Sequence, residues 1–164
     1  MVIIVTGFLL IWSFYLSEAK KEQPYFYAQD ALDFMSNTPV SAVIGTSPYM
    51  QKLVRDGNIT NLDNTLLEQT ALSYINEAGD SCMWPDCKHH LSENITRNTL
   101  QDVIPEQYGM HVILNSTTLY VKNATTGRLE NESDILISSK KVVVVVLNKV
   151  NISDPYMMEV RVWR

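Results

Sequence analysis

Two cysteines and three histidines are the residues best suited to chemistry. Cys82 and Cys87 bracket Met-Trp-Pro-Asp, with His89 and His90 close behind and His111 further on. A six-residue Cys82–Cys87 loop bent by Pro85 suits a disulfide in an oxidising compartment. The alternative is a metal site built from Cys82, Cys87, His89 and His90, with Asp86 nearby. The cysteine spacing lies within the zinc range, but adjacent histidines do not readily share one tetrahedral ion. No haem-attachment motif, nucleophile elbow, phosphate loop, dinucleotide fingerprint or His-Glu-x-x-His occurs. His111 falls on a β-like stretch and reads as a structural histidine, and the carboxylates are scattered. No enzyme activity and no cofactor are expected.

A second kind of chemistry is more conspicuous. Six Asn-x-Ser/Thr triplets, at Asn58, Asn94, Asn115, Asn123, Asn131 and Asn151, lack a central proline. They are competent acceptors for N-linked sugars on the exported side of a membrane. Lys20 and Lys21 pull weakly the other way. The sequons place the bulk of the chain outside the cell, in agreement with a disulfide.

The carrier of these residues is 164 residues long, 46% apolar and 19% charged, with a net charge of −5. That suits a single globular domain and excludes a disordered chain. The 13 Lys+Arg against 18 Asp+Glu, without a basic run longer than two, argue against nucleic acid. The charge is unevenly placed, because Met1 to Ser17 contains none. As a helix, those residues would span roughly 26 Å, close to a hydrocarbon core of about 30 Å. Val2, Ile3, Ile4, Val5, Phe8, Leu9, Leu10, Ile11, Trp12, Phe14 and Leu16 are its apolar side chains, Tyr15 and Trp12 suit an aromatic belt, and Pro24 marks a kink. Such a segment can sit in a bilayer, or bundle with its copies into a filament core. It can also be a cleaved secretory signal, since Ser17 and Ala19 form a small-x-small pattern.

Domain organisation is therefore expected as 1–36, a hydrophobic helix, and 37–164, an extracellular α+β head of about three helices and an antiparallel sheet. Helices are predicted over Ser47–Asp56 (Ser47 N-cap, Pro48, Gly57 stop), Asp63–Ala78 (capping box Thr65 to Glu68) and Ser92–Ile104. Met110–Leu114 and Thr118–Lys122 read as a hairpin about Asn115-Ser116. The run Val142–Leu147 is too uniformly apolar for a half-exposed strand and is expected at the sheet centre, buried on both faces. Tyr156–Arg164 alternates, with Met158, Val160 and Val162 on one side.

Together, the hydrophobic start Met1–Leu16, the Pro24 break and the single following head resemble type IV pilin-like proteins, above all their archaeal branch. Leu67–Gly79, Ile95–Tyr108 (with Val103-Ile-Pro-Glu-Gln-Tyr108) and Leu114–Tyr120 are similar to archaeal pilin-related secreted proteins. Val5 stands where many pilins carry an acidic residue. The resemblance implies export, removal of a short leader by a prepilin peptidase, and assembly on a pilus machine. The partners it implies are copies of the same chain, with membrane residence before assembly. The alternatives are a membrane-anchored extracellular binding domain and a secreted protein.

Overall fold

A computed structural model describes residues 26–79, 90–133, 135–148 and 151–164. The uncharged segment, Pro24, Cys82 and Cys87 lie outside these residues.

The first described helix, α1, covers 26–37. Its apolar residues Ala28, Ala31, Leu32 and Met35 recur at helical spacing, and all are 0% exposed. Residues read from the sequence as the end of the N-terminal segment are thus built into the head. The flank of α1 is tied to a strand: Ser139 Oγ donates to Gln29 Oε1 (2.7 Å), and Lys141 Nζ reaches Ser36 Oγ (2.6 Å) and Asp33 Oδ1 (3.4 Å). The Tyr27 and Tyr108 rings meet at 5.0 Å.

Helix α2, Val40–Ile44, is a short element absent from the sequence reading. It has no side-chain cap and is held from outside: the Val40 N–H donates to the Asn64 carbonyl and the Leu66 N–H to the Thr38 carbonyl (both 2.9 Å). Helix α3, Pro48–Arg55, starts as expected, with Ser47 Oγ accepting from the Met50 N–H and Pro48 in the first turn. Gly57 follows at φ 77, a left-handed conformation that favours glycine. Helix α4, Leu66–Gly79, opens on the expected capping box: the Glu68 N–H donates to Thr65 Oγ1 (3.2 Å), and the Thr65 N–H to Glu68 Oε2 (2.8 Å). Replacing Thr65 by Ala is expected to lower unfolding stability by about 1 kcal/mol, measured by urea titration, because the Glu68 N–H loses its acceptor and the Glu68 carboxylate loses the Thr65 hydroxyl that helps to hold it.

Helix α5, Leu91–Leu100, packs against α4 and stops four residues before the expected Ile104. Its start is capped across the pair, Glu77 Oε1 accepting from the Ser92 N–H (2.9 Å) and Oε2 from Ser92 Oγ (2.7 Å). Beyond its end, Lys122 Nζ donates to the carbonyls of Gln101 and Ile104 (both 2.9 Å). These contacts replace helical bonds where the chain turns toward the sheet.

The sheet is antiparallel, in the order β2-β1-β6-β3. Its strands are β1 (Gly109–Leu114), β2 (Thr117–Lys122), β3 (Leu136–Val143) and β6 (Tyr156–Trp163). β4 (Val146–Asn148) and β5 (Asn151–Ile152) form a separate ribbon. Asn115 and Ser116, at φ 46 and 72, make the β1–β2 turn, and positive φ at both positions is the twist a two-residue hairpin needs. One sheet face carries Met110, Val112, Leu114, Met158, Val160 and Val162, all 0% exposed, and packs on the helices. The architecture is α+β as expected, with five helices among the described residues. None of these is long and apolar enough to cross a membrane.

A further expectation fails. The valine run does not form a central strand, because β3 lies at the sheet edge and β6 and β1 are interior. Val143 and Val145 are buried at 5% and 3%, while Val142, Val144 and Val146 are 58%, 46% and 65% exposed. The run alternates after all, and identical side chains conceal that alternation in the sequence.

Candidate functional site

The outer sheet face, opposite the helices, holds a groove of about 700 Å³ lined by polar side chains of β1, β2, β3 and β6. Alternation delivers them: His111 pairs across the ladder with Arg161, Ile113 with Glu159, and Lys140 with Glu159 from the other side. Glu130 comes from elsewhere. A 3₁₀ turn, Glu130–Glu132, within the β2–β3 connection brings it over the sheet.

These groups form one continuous network. Thr118 Oγ1 lies 2.9 Å from His111 Nε2, and His111 Nδ1 lies 2.7 Å from Glu130 Oε2. Arg161 donates from its terminal nitrogen to Glu130 Oε1 (3.0 Å) and from Nε to Glu159 Oε1 (2.6 Å). Ser138 Oγ donates to Glu159 Oε1 (2.7 Å), and Lys140 Nζ lies 3.3 Å from Glu159 Oε2. Two carboxylates thus face a guanidinium and an ammonium, so the cluster is neutral overall while His111 is uncharged.

The Arg161 hydrogen bond holds the Glu159 carboxyl down at about 2, against desolvation that would raise it, with help from Ser138 and Lys140. For Glu130 the largest influence is burial, which raises its pKa, but hydrogen bonds from Arg161 and His111 outweigh it and leave the group below its ordinary value. Arg161 is held protonated by both carboxylates. A carboxyl titrating lower in the folded than in the unfolded chain stabilises the fold above its ordinary value near 4.5, and that contribution drains away as pH falls toward 2. Stability measured by urea unfolding should therefore fall between pH 5 and 3, and Glu159→Gln should show a shallower fall. Equal slopes in the two proteins would contradict the role given to Glu159.

The hydroxyl–imidazole–carboxylate order of Thr118, His111 and Glu130 has the connectivity of a nucleophile, base and orienter. Here Glu130 is also shared with Arg161, and the chain of contacts runs on to Lys140. The arrangement is a polar surface network in which carboxylates and cations pair. Its β6 members belong to a readable alternation. Glu130, 31 residues from Arg161 and in a polar loop, gave no local signal.

The sequence-derived site residues are distributed differently. His90 is the member of the suggested metal set within the described residues, and its Nδ1 lies 2.9 Å from Glu93 Oε2. Among the described residues, no group of three or more His, Cys, Asp and Glu is placed to hold a metal. Of the sequon asparagines, Asn115, Asn123 and Asn131 are exposed, Asn58 and Asn94 are half-buried, and Asn151 opens β5. Asn115 lines the groove. In comparisons with known proteins, no family model, no curated protein and no solved structure matches this chain.

Proposed function

We propose that this chain is a structural subunit of an extracellular, type IV pilus-like filament, assembled by packing of its hydrophobic N-terminal segment. The observation that carries the reading is the seating of α1. The uncharged stretch Met1–Ser17 ends a few residues before a helix whose Ala28, Ala31, Leu32 and Met35 are fully buried in the head. That helix is also pinned to β3 through Ser139 and Lys141. Any hold on the N-terminal segment therefore passes into the sheet through buried side chains and hydrogen bonds. Burying each large aliphatic residue of that segment against neighbouring copies contributes roughly 1.5–3 kcal/mol, so many weak contacts sum to a strong polymer.

The groove favours a second reading, a membrane-anchored extracellular domain that binds a polar ligand on its outer sheet face. Mass spectrometry of the N-terminus of native protein tests both against a secreted form. Retention of the segment around Leu9 and Leu10 supports filament or anchor, whereas a chain beginning at Lys20 contradicts them. Recovery in detergent as a monomer, without fibres, would favour the anchored domain.

A further inference from the structure

We propose that Asn115 carries an N-linked glycan whose first sugars lie along the outer-face groove, while Asn94 stays bare in the folded head. The inference rests on the extracellular reading above and goes beyond it by selecting among the six sequons.

Asn115 is held as an acceptor. Its backbone N–H donates to the Met157 carbonyl (3.0 Å), and its Oδ1 accepts from the Met157 N–H (2.8 Å). These bonds fix the amide oxygen and leave Nδ2, the atom a sugar substitutes, on the other side of the amide. Asn115, Ser116 and Thr117 are all exposed, at and beside the two-residue β1–β2 turn. The transfer forms a bond between Nδ2 and the anomeric carbon of a phosphate-activated sugar donor. The bond from that carbon to the phosphate oxygen breaks, and one Nδ2 proton leaves with the phosphate.

Asn94 is more enclosed. It lies within α5 and is half-buried. Thr96, the hydroxyl residue of its sequon, is 0% exposed and donates to the Ser92 carbonyl (2.8 Å). A sugar there would require the first turns of α5 to open.

The groove beside Asn115 suits a sugar. Its volume of about 700 Å³ falls within the roughly 300–1,000 Å³ that holds a drug-sized ligand, comparable to a di- or trisaccharide. Its charges cancel in pairs, which disfavours an ionic ligand but leaves carboxylate and guanidinium edges for sugar hydroxyls. The Ser116 and Thr118 hydroxyls add neutral partners. Met157, 46% exposed, and Ile113 supply an apolar floor for the C–H face of a pyranose ring.

Glycopeptide mass spectrometry of native protein, paired with peroxide oxidation of Met157, tests this. The expected result is a sugar on the Asn115 peptide, none on the Asn94 peptide, and Met157 oxidation at least about threefold slower than in Thr117→Ala. That variant removes the sequon and the Thr117 hydroxyl contact with Tyr74 (3.0 Å), and retains the Asn115–Met157 bonds. Enzymatically deglycosylated native protein gives the same comparison without a substitution. A bare Asn115 with sugars on other sequons overturns the inference and leaves the extracellular reading standing. Sugars on no sequon overturn the inference and withdraw the sequon support for that reading. An occupied Asn94, or equal Met157 oxidation with and without the sugar, also overturns the inference.

Discussion

Gly109→Ala is expected to destabilise the head by about 3 kcal/mol, near the top of the range for forcing extra atoms into a packed site. Gly109 is the ladder partner of Trp163, and a Cβ added there would run into the Trp163 indole. The indole has nowhere to go. It is 1% exposed on the outer side of the sheet end, and its Nε1 donates to the Arg128 carbonyl (3.1 Å). That bond anchors the β2–β3 connection, the same loop that brings Glu130 over His111 and Arg161. Moving Trp163 should therefore disturb both the fold and the groove. Urea unfolding gives the stability, and a double-mutant cycle with Trp163→Leu isolates the cause. If the methyl–indole collision is the mechanism, Gly109→Ala should cost much less in the Trp163→Leu background. Additive costs would contradict it.

Leu9→Asp with Leu10→Asp is expected to abolish assembly while leaving a folded head. Each substitution puts a carboxylate into an otherwise uncharged stretch. A charge at the centre of an apolar helical environment costs roughly 2.5–3.5 kcal/mol on insertion scales, and two together should reduce assembled material more than 100-fold. The described head has its own core, from Ala28 in α1 to Val162 in β6. Its thermal transition should be unchanged. A variant whose head unfolds would contradict the separation of the two parts. Because α1 contributes fully buried side chains, a soluble head fragment should begin near residue 26; one begun at 37 would remove Ala28, Ala31, Leu32 and Met35 from the core.

What could be read from the sequence follows the range of the interactions. The Thr65–Glu68 box, the Ser47-Pro48 start and the Asn115-Ser116 turn are local, each set by residues within four positions of one another, and each is present. The alternation of β6 is likewise visible, because polar Glu159 and Arg161 interrupt buried Met158, Val160 and Val162. The valine run has no such contrast. Only the position of β3 at the edge, with α1 beneath it, decides that Val143 turns inward and Val142 outward. Helix α2 is too short to show a period and owes its place to backbone bonds from 62–64. The early end of α5 depends on Lys122, which arrives from β2. The groove is the least legible feature. His111 was visible as a β-strand histidine, but its partner Glu130 comes from a connection without regular periodicity, and their meeting depends on the assembled sheet.

The filament reading is tested most directly on material sheared from the surface of cells that make this protein, by electron microscopy with mass spectrometry of the isolated fibres. Fibres containing this chain with Leu9 and Leu10 retained, and lost in the Leu9→Asp, Leu10→Asp variant, are the expected result. Fibre preparations free of this chain, with all of it in the membrane fraction as a monomer, would contradict the reading.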